Sequence, residues 1–147
     1  MSPAARAEPL AFFDTNVLVY AHDASAPRRR DVARELLLRH LGAGTLRTST
    51  QVLAEYVSVV TTKGEVPLEP AAAARLVEQL PAEAVVAPGL ATLRAAARSG
   101  GGLSIWDALV LQTARECGAA VLYTEDRRLL RALAEAGGAP AGRDPFV

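Results

Sequence analysis

Asp14, Glu55, Asp107 and Asp126 each stand at the junction of a polar turn and an apolar segment. Asp14 closes the run Leu10-Ala11-Phe12-Phe13. Glu55 is flanked by Leu53, Ala54, Tyr56 and Val57, and Asp107 by Ile105, Trp106, Ala108 and Leu109. Asp126 follows the apolar run from Ala119 to Tyr123, with Thr124 and Glu125 between. A carboxylate in apolar surroundings is costly to bury unless it is paired or binds a cation. No Lys or Arg lies three or four residues from Asp14, Glu55 or Asp107, so ion pairs within a helix cannot neutralise them. A divalent cation would. Ligands that offer only oxygen favour magnesium or manganese over zinc.

Each acid also has a structural use. Asp14 can cap a helix that begins near Val17. Asp107 lies three residues after Ser104 and can close a capping box there, and Asp126 in a first turn suits the helix dipole. Glu55 can face solvent. The other polar candidates are weaker. His22 and His40 are read as solvated or core histidines, Trp106 as a core anchor, and Cys117 as an inert buried thiol. Arg28-Arg29-Arg30 reads as a solvated helix start or, with Arg34 and Arg39, as a phosphate-binding stripe. Arg127, Arg128 and Arg131 flank Asp126 and are better placed to hold a substrate backbone. Ser49 and Thr50 suit a helix cap, and Ser49 also lies near the predicted cleft.

The elements that must position these acids alternate. Short apolar runs at 10–13, 45–48, 84–87 and 119–123 read as strands. Helices are expected at 17–21, 27–41, 51–63, 70–80, 88–98, 104–117 and 125–136. Gly44, Gly64 and Gly118 stop three of them, Ser99-Gly100-Gly101-Gly102 closes a fourth, and Ser104 and Thr124 open the last two. Thr48 and Gln51 have capping-box spacing for the third helix. The tail after Gly137 is either a short edge strand or loose. This alternation implies an α/β fold: a three-layer α/β/α sandwich around a mainly parallel sheet. In such sheets ligands bind beyond the carboxyl ends of the strands. If the strand order brings those ends together, all four carboxylates face one cleft.

The bulk composition limits the alternatives. A chain of 147 residues, half of them apolar, is enough for one domain with one core. Residues 10–147 are read as that domain and 1–9 as a loose extension. The N-terminus lacks the apolar stretch of a signal peptide. No apolar run is long enough for a membrane span. The single cysteine excludes an internal disulfide and a cysteine-based zinc site. A cytoplasmic protein is the simplest expectation. Sixteen acids balance sixteen Lys and Arg, so no global charge draws the chain to nucleic acid.

The ordered set Phe12-Phe13-Asp14-Thr15-Asn16, Ser49-Thr50-Gln51-Val52-Leu53-Ala54-Glu55, Ser104-Ile105-Trp106-Asp107 and Thr124-Glu125-Asp126 resembles the PIN-domain nucleases. The likeness covers roughly residues 10 to 147. It is strongest to short single-domain members such as the VapC-type toxins of type II toxin–antitoxin pairs. The resemblance implies a metal-dependent ribonuclease whose acidic quartet is Asp14, Glu55, Asp107 and Asp126. It implies that Asn16, Ser49 and Thr124 support the quartet by hydrogen bonds. It also implies a homodimer and, for a toxin, a small antitoxin protein that occupies the cleft; the alternative is a solitary PIN-domain nuclease, which shares the motifs and has no antitoxin. Glu125 stands beside Asp126, and Asp126 takes the usual motif position.

Hydrolysis of a phosphodiester needs an activated water and neutralisation of the growing charge, which one magnesium ion or a pair about 4 Å apart supplies. Asp14 and Asp107 are expected to bind the principal ion, with Glu55 and Asp126 completing its shell or holding a second. Repulsion among the carboxylates is expected to raise some of their pKa values. A narrow acidic cleft suits single-stranded or looped RNA better than a rigid duplex. Two other classes compete. A non-catalytic RNA-binding module would not need the full quartet. A phosphatase on a similar sheet would favour a second aspartate where Asn16 stands.

Overall fold

The computed structural model describes residues 7–99 and 102–147. Residues 1–6 of the expected extension, and Gly100 and Gly101 of the expected helix stop, lie outside the described residues. Five strands form the sheet: β1 (Ala11–Phe13), β2 (Leu46–Ser49), β3 (Val85–Val86), β4 (Val121–Tyr123) and β5 (Ala141–Arg143). Their order is β3-β2-β1-β4-β5 and every pairing is parallel. Among the described residues seven α-helices connect them: α1 (Thr15–Tyr20), α2 (Pro27–Ala43), α3 (Thr50–Thr62), α4 (Pro70–Gln79), α5 (Leu90–Ser99), α6 (Ile105–Glu116) and α7 (Arg127–Ala136). A short 3-10 turn, Ala82–Ala84, leads into β3. The α/β sandwich expected from the alternating pattern is the fold found.

From β1 the chain winds through β2 to β3, then crosses back to β4 and β5. Right-handed connections place α1 to α4 on one face and α5 to α7 on the other. The packing agrees: α1 touches α2 and α3, α3 touches α4, and α5 packs on α6. The order reverses between β1 and β4, so their carboxyl ends open a crevice at the switch point. Asp14 directly follows β1, and Thr124 directly follows β4.

The core is built on the central strands. Phe12, Phe13, Leu46 and Leu122 are fully buried. Phe13 meets Tyr123 and His40 edge-on at centroid distances of 5.4 and 5.6 Å. His40 is thus a core histidine, and its Nδ1 pairs with the Thr45 hydroxyl at 2.7 Å. Cys117 is half-buried, and burial raises its thiol above the usual range.

Four local expectations are corrected. The third helix is capped by Ser49, whose hydroxyl accepts the Val52 N–H, and not by Thr48. Strand β2 runs one residue further than expected, and within it the Thr48 hydroxyl donates to the Phe13 carbonyl on β1. The last helix starts at Arg127 with Asp126 as its cap, because the Thr124 hydroxyl is drawn into the cleft. The tail forms the edge strand β5. Gly142 lets α7 lie close to it: a Cβ there would stand 2.8 Å from Leu133 Cδ1. Trp106 is not a core anchor but 65 % exposed.

Candidate active site

Beyond the carboxyl ends of β1, β2 and β4 lies a cleft of about 370 Å³. All four predicted acids line it, together with Asp23 and Glu125. Among the described residues no Arg or Lys lines it. Asn16, Gln51, Tyr20 and Trp106 complete its polar and aromatic wall.

Asp14 sits deepest. It is buried at the end of β1 and caps α1: Oδ1 accepts the Thr15 N–H at 2.8 Å. Its Oδ2 accepts the Thr124 hydroxyl at 2.8 Å and the Asn16 amide at 3.4 Å. The Thr124 oxygen in turn accepts the Asn16 amide at 3.1 Å and the Asp126 N–H at 3.0 Å. The Asn16 carbonyl oxygen accepts the Glu125 N–H at 3.2 Å. Asn16 and Thr124 thereby join the loop after β1 to the loop after β4, across the switch point.

Burial raises the Asp14 pKa from 3.8 to about 6. The Thr124 hydroxyl and the Thr15 N–H resist that rise, while the charges of Glu55 and Asp107 add to it. Asp107 is also raised, first by burial, then by Asp126 and Glu55, with Ser104 and Arg128 pulling the other way. Mutual repulsion therefore operates as expected, but desolvation is the larger cause at both residues.

Glu55 comes from the second turn of α3. It is exposed, so the apolar neighbours that flank it in sequence do not bury it. Its Oε2 accepts the Thr15 hydroxyl at 3.0 Å, which ties α3 to the start of α1. Asp107 is half-buried in the first turn of α6, where its N–H donates to Ser104 Oγ at 3.1 Å. Asp126 caps α7 through Oδ1, which accepts the N–H groups of Arg128 and Leu129 at 2.9 and 3.2 Å. Among the described residues its Oδ2 and the Glu55 Oε1 have no hydrogen-bond partner.

Glu125 is occupied elsewhere. Its carboxylate accepts the Tyr20 hydroxyl at 3.0 Å and pairs with Arg29. The Arg29 guanidinium lies over both the Tyr20 and Phe146 rings, 5.0 and 5.4 Å from their centroids. Sequence reasoning missed this cluster because Tyr20 and Arg29 come from one end of the chain and Glu125 and Phe146 from the other, 96 or more residues away. The expected arginine stripe is dispersed: Arg29 holds Glu125, Arg34 donates to the Ala21 carbonyl, and Arg39 pairs with Glu8.

Ser49 is brought to the neighbourhood as the buried cap of α3 but does not line the cleft. Arg127, Arg128 and Arg131 are exposed on α7 and lie outside it. Among the described residues none of the three has an ion-pair partner. Arg128 is near enough to pull down the Asp107 pKa. Among the described residues no three acidic, His or Cys side chains converge into a ready metal cage. The donor chemistry still suits magnesium, which binds through one or two carboxylates, keeps several waters and shuns all-protein cages.

The family model of the PIN domain matches residues 11–135. This chain belongs to the PIN-domain family. Members of the family are generally nucleases that use divalent metal ions, and the matched span contains all four cleft acids of the quartet. No curated protein matches the chain. In this PIN domain no described helix is long and apolar enough to cross a membrane.

Proposed function

We propose that this PIN domain is a magnesium-dependent endoribonuclease acting on single-stranded or looped RNA. The observation that carries the reading is the cleft itself: six acids, no lining cation among the described residues, and a buried aspartate at its floor whose pKa is pushed up to about 6. Such a site binds a divalent cation because the cation relieves both desolvation and repulsion. Asp14 and Asp107 are the residues assigned to the principal ion. Glu55 and Asp126 would complete its shell or hold a second ion. Manganese satisfies the same oxygen donors. When bound, the metal supplies a water of lowered pKa and neutralises charge on the phosphorane and leaving oxygen.

The chain's own groups do the rest. Thr124 and Asn16 fix the Asp14 carboxylate, so its orientation precedes substrate binding. The free oxygens of Glu55 and Asp126 orient the attacking water and accept its proton. Arg127, Arg128 and Arg131 hold the RNA backbone at the rim, beyond the acids that would repel it. Ser49 supports the site indirectly, by fixing the start of the helix that carries Glu55.

The finer reading is a VapC-type toxin. Its support is the close order of the four motifs in one short domain, read as residues 10–147 with 1–9 as an extension. A second cleft of about 320 Å³ shares Val19, Asp23 and Val59 with the first and is lined by Val60, Val66 and Leu68. It offers an antitoxin segment an apolar path into the acids. Exposed Leu90 and Leu93 on α5 offer apolar surface for a homodimer. An RNA substrate places the action in the cytoplasm.

The test is cleavage of a mixed-sequence, fluorophore-labelled single-stranded RNA by wild type and Asp107→Asn, each with magnesium and with EDTA. Cutting that needs both magnesium and Asp107 is expected. Magnesium-independent cutting, or full activity in Asp107→Asn, would refute it. Growth arrest on induction, relieved by Asp107→Asn, is the expected outcome for a toxin.

A further inference from the structure

A cleft lined by six acids repels a polyanion, so the phosphate chain cannot be what the bare protein grips there. The neutral part of a nucleotide is its base. Among the described residues, the one large aromatic surface at the cleft that is free to receive a base is Trp106. It lines the cleft, it is 65 % exposed, and it stands one residue before Asp107 in the first turn of α6. By contrast, Tyr20, the other aromatic lining the cleft, is already covered by Arg29 and Phe146.

Trp106 is also held in place. Gln51, in the first turn of α3, donates from Nε2 to the Trp106 carbonyl at 3.3 Å. Gln51 is one helical turn before Glu55, and Trp106 is next to Asp107. The tie therefore fixes the Trp106 backbone, from which the indole springs, relative to two helices that carry quartet acids. An exposed indole costs hydrophobic free energy and does nothing for the core. Bases stack on aromatic side chains with little regard to sequence, and only unpaired bases present a free face.

We propose that Trp106 is the stacking platform for an unpaired base flanking the scissile phosphate, and so makes the site select single-stranded over duplex RNA. This rests on the ribonuclease reading. Stacking involves no bond making, so Trp106 is a specificity-determining group rather than a catalytic one.

The chain contains a single tryptophan, so its fluorescence reports on this residue alone. The experiment titrates full-length Asp107→Asn with a short single-stranded RNA in magnesium and follows indole emission. Binding is measured in parallel by anisotropy of the labelled RNA. Quenching that tracks binding is expected with the single strand and not with the same sequence as a duplex. In the active background, Trp106→Ala is expected to raise KM by about 10- to 100-fold, from the usual strength of a base–aromatic stack, with kcat little changed. Trp106→Phe restores most of the loss and Trp106→Leu does not. Because the side chain is exposed, all three variants should melt near wild type. RNA binding without quenching, or an unchanged KM in Trp106→Ala, overturns the proposal while leaving the nuclease reading intact. A Trp106→Ala variant with altered oligomeric size and unchanged KM would reassign the indole to a protein contact and overturn it equally. Wild type that neither binds nor cuts RNA removes both readings together.

Discussion

Replacing Asp14 with Asn should stabilise the protein in EDTA at neutral pH while abolishing its activity. The Asp14 carboxyl titrates near 3.8 in the unfolded chain and near 6 in the fold. The native state therefore holds this proton more tightly than the unfolded state. Stability is greatest with the proton on, and it falls as pH rises from 3.8 through 6. Above pH 6 the full penalty is roughly 3 kcal/mol, at about 1.4 kcal/mol for each pKa unit. At pH 4.5 only about 1 kcal/mol of it has been incurred. Asn carries no charge and escapes the penalty at every pH. Its amide retains the Thr15 contact but presents N–H where Asp14 accepts the Thr124 hydroxyl, at a cost of about 1 kcal/mol that does not depend on pH. Relative to wild type, Asp14→Asn should thus gain about 2 kcal/mol between pH 4.5 and pH 7.5. For a domain of this size that is a relative shift of about 4–8 °C in melting temperature. Thermal melts of both proteins in EDTA at the two pH values test it, and other titrating groups largely cancel in the double difference. A Tm offset that is the same at both pH values would refute the argument that desolvation of Asp14 is what the metal relieves.

The remaining predictions probe the surroundings. Magnesium at a hundred times its Kd should stabilise wild type by about 2.7 kcal/mol, read as a rise in Tm, and should do much less for Asp14→Asn. Thr124→Val removes the donor to Asp14 Oδ2 and the acceptor of the Asp126 N–H; a loss of about 1–3 kcal/mol in denaturant melts at pH 7.5 is expected, shrinking at low pH where Asp14 is protonated. Tyr56→Phe should leave stability unchanged or raise it by about 1 kcal/mol, because the Tyr56 hydroxyl is buried without a partner among the described residues and burial pushes its pKa up to about 12. A clear drop in Tm would reveal a partner for that hydroxyl. Arg128→Ala should weaken single-strand RNA binding at all sequences alike and flatten the log Kd against log salt slope by about 0.7.

The sheet was legible because its signal is local: four short apolar runs between helical stretches leave few other folds. That the four acids share one cleft was legible because each stands within or just beyond an apolar run. Trp106 was not. Leu109 and Val110, three and four residues further on, are buried, so helical periodicity places Trp106 on the same inward face. In the first turn of α6, however, that side chain lines the cleft and is left 65 % exposed. Glu55 fails for the same reason, since apolar neighbours in sequence belong to other faces of its helix. The cap of α3 fell one residue from its expected place because the length of β2 is set by pairing with β1 and β3, which no local pattern records. The clamp of Arg29, Tyr20 and Phe146 on Glu125 depends on contacts across most of the chain.

That clamp bears on which acids serve the metal. Two neighbouring carboxylates, Glu125 and Asp126, reach the same cleft from one loop. Arg29 is the only cation among the described residues that pairs with any of the six cleft acids, and it pairs with Glu125. Had it paired with Asp14 or Asp107, their charge would be satisfied within the fold and a cation would gain little by binding. Pairing with Glu125 removes a surplus carboxylate instead. The Glu125 and Asp126 N–H groups are anchored by Asn16 and Thr124, and the two side chains take different partners, Tyr20 and Arg29 for Glu125 and the first turn of α7 for Asp126. The charge left unneutralised belongs to the quartet and to Asp23, whose Oδ1 accepts only from Ser25 among the described residues. The same choice of partner makes the fold less stable without metal and more responsive to it, so Arg29→Ala should lower activity through a disordered loop rather than through lost RNA contact. The two routes separate kinetically: loss of loop order lowers kcat at every salt concentration, whereas loss of a phosphate contact raises KM and flattens its salt dependence.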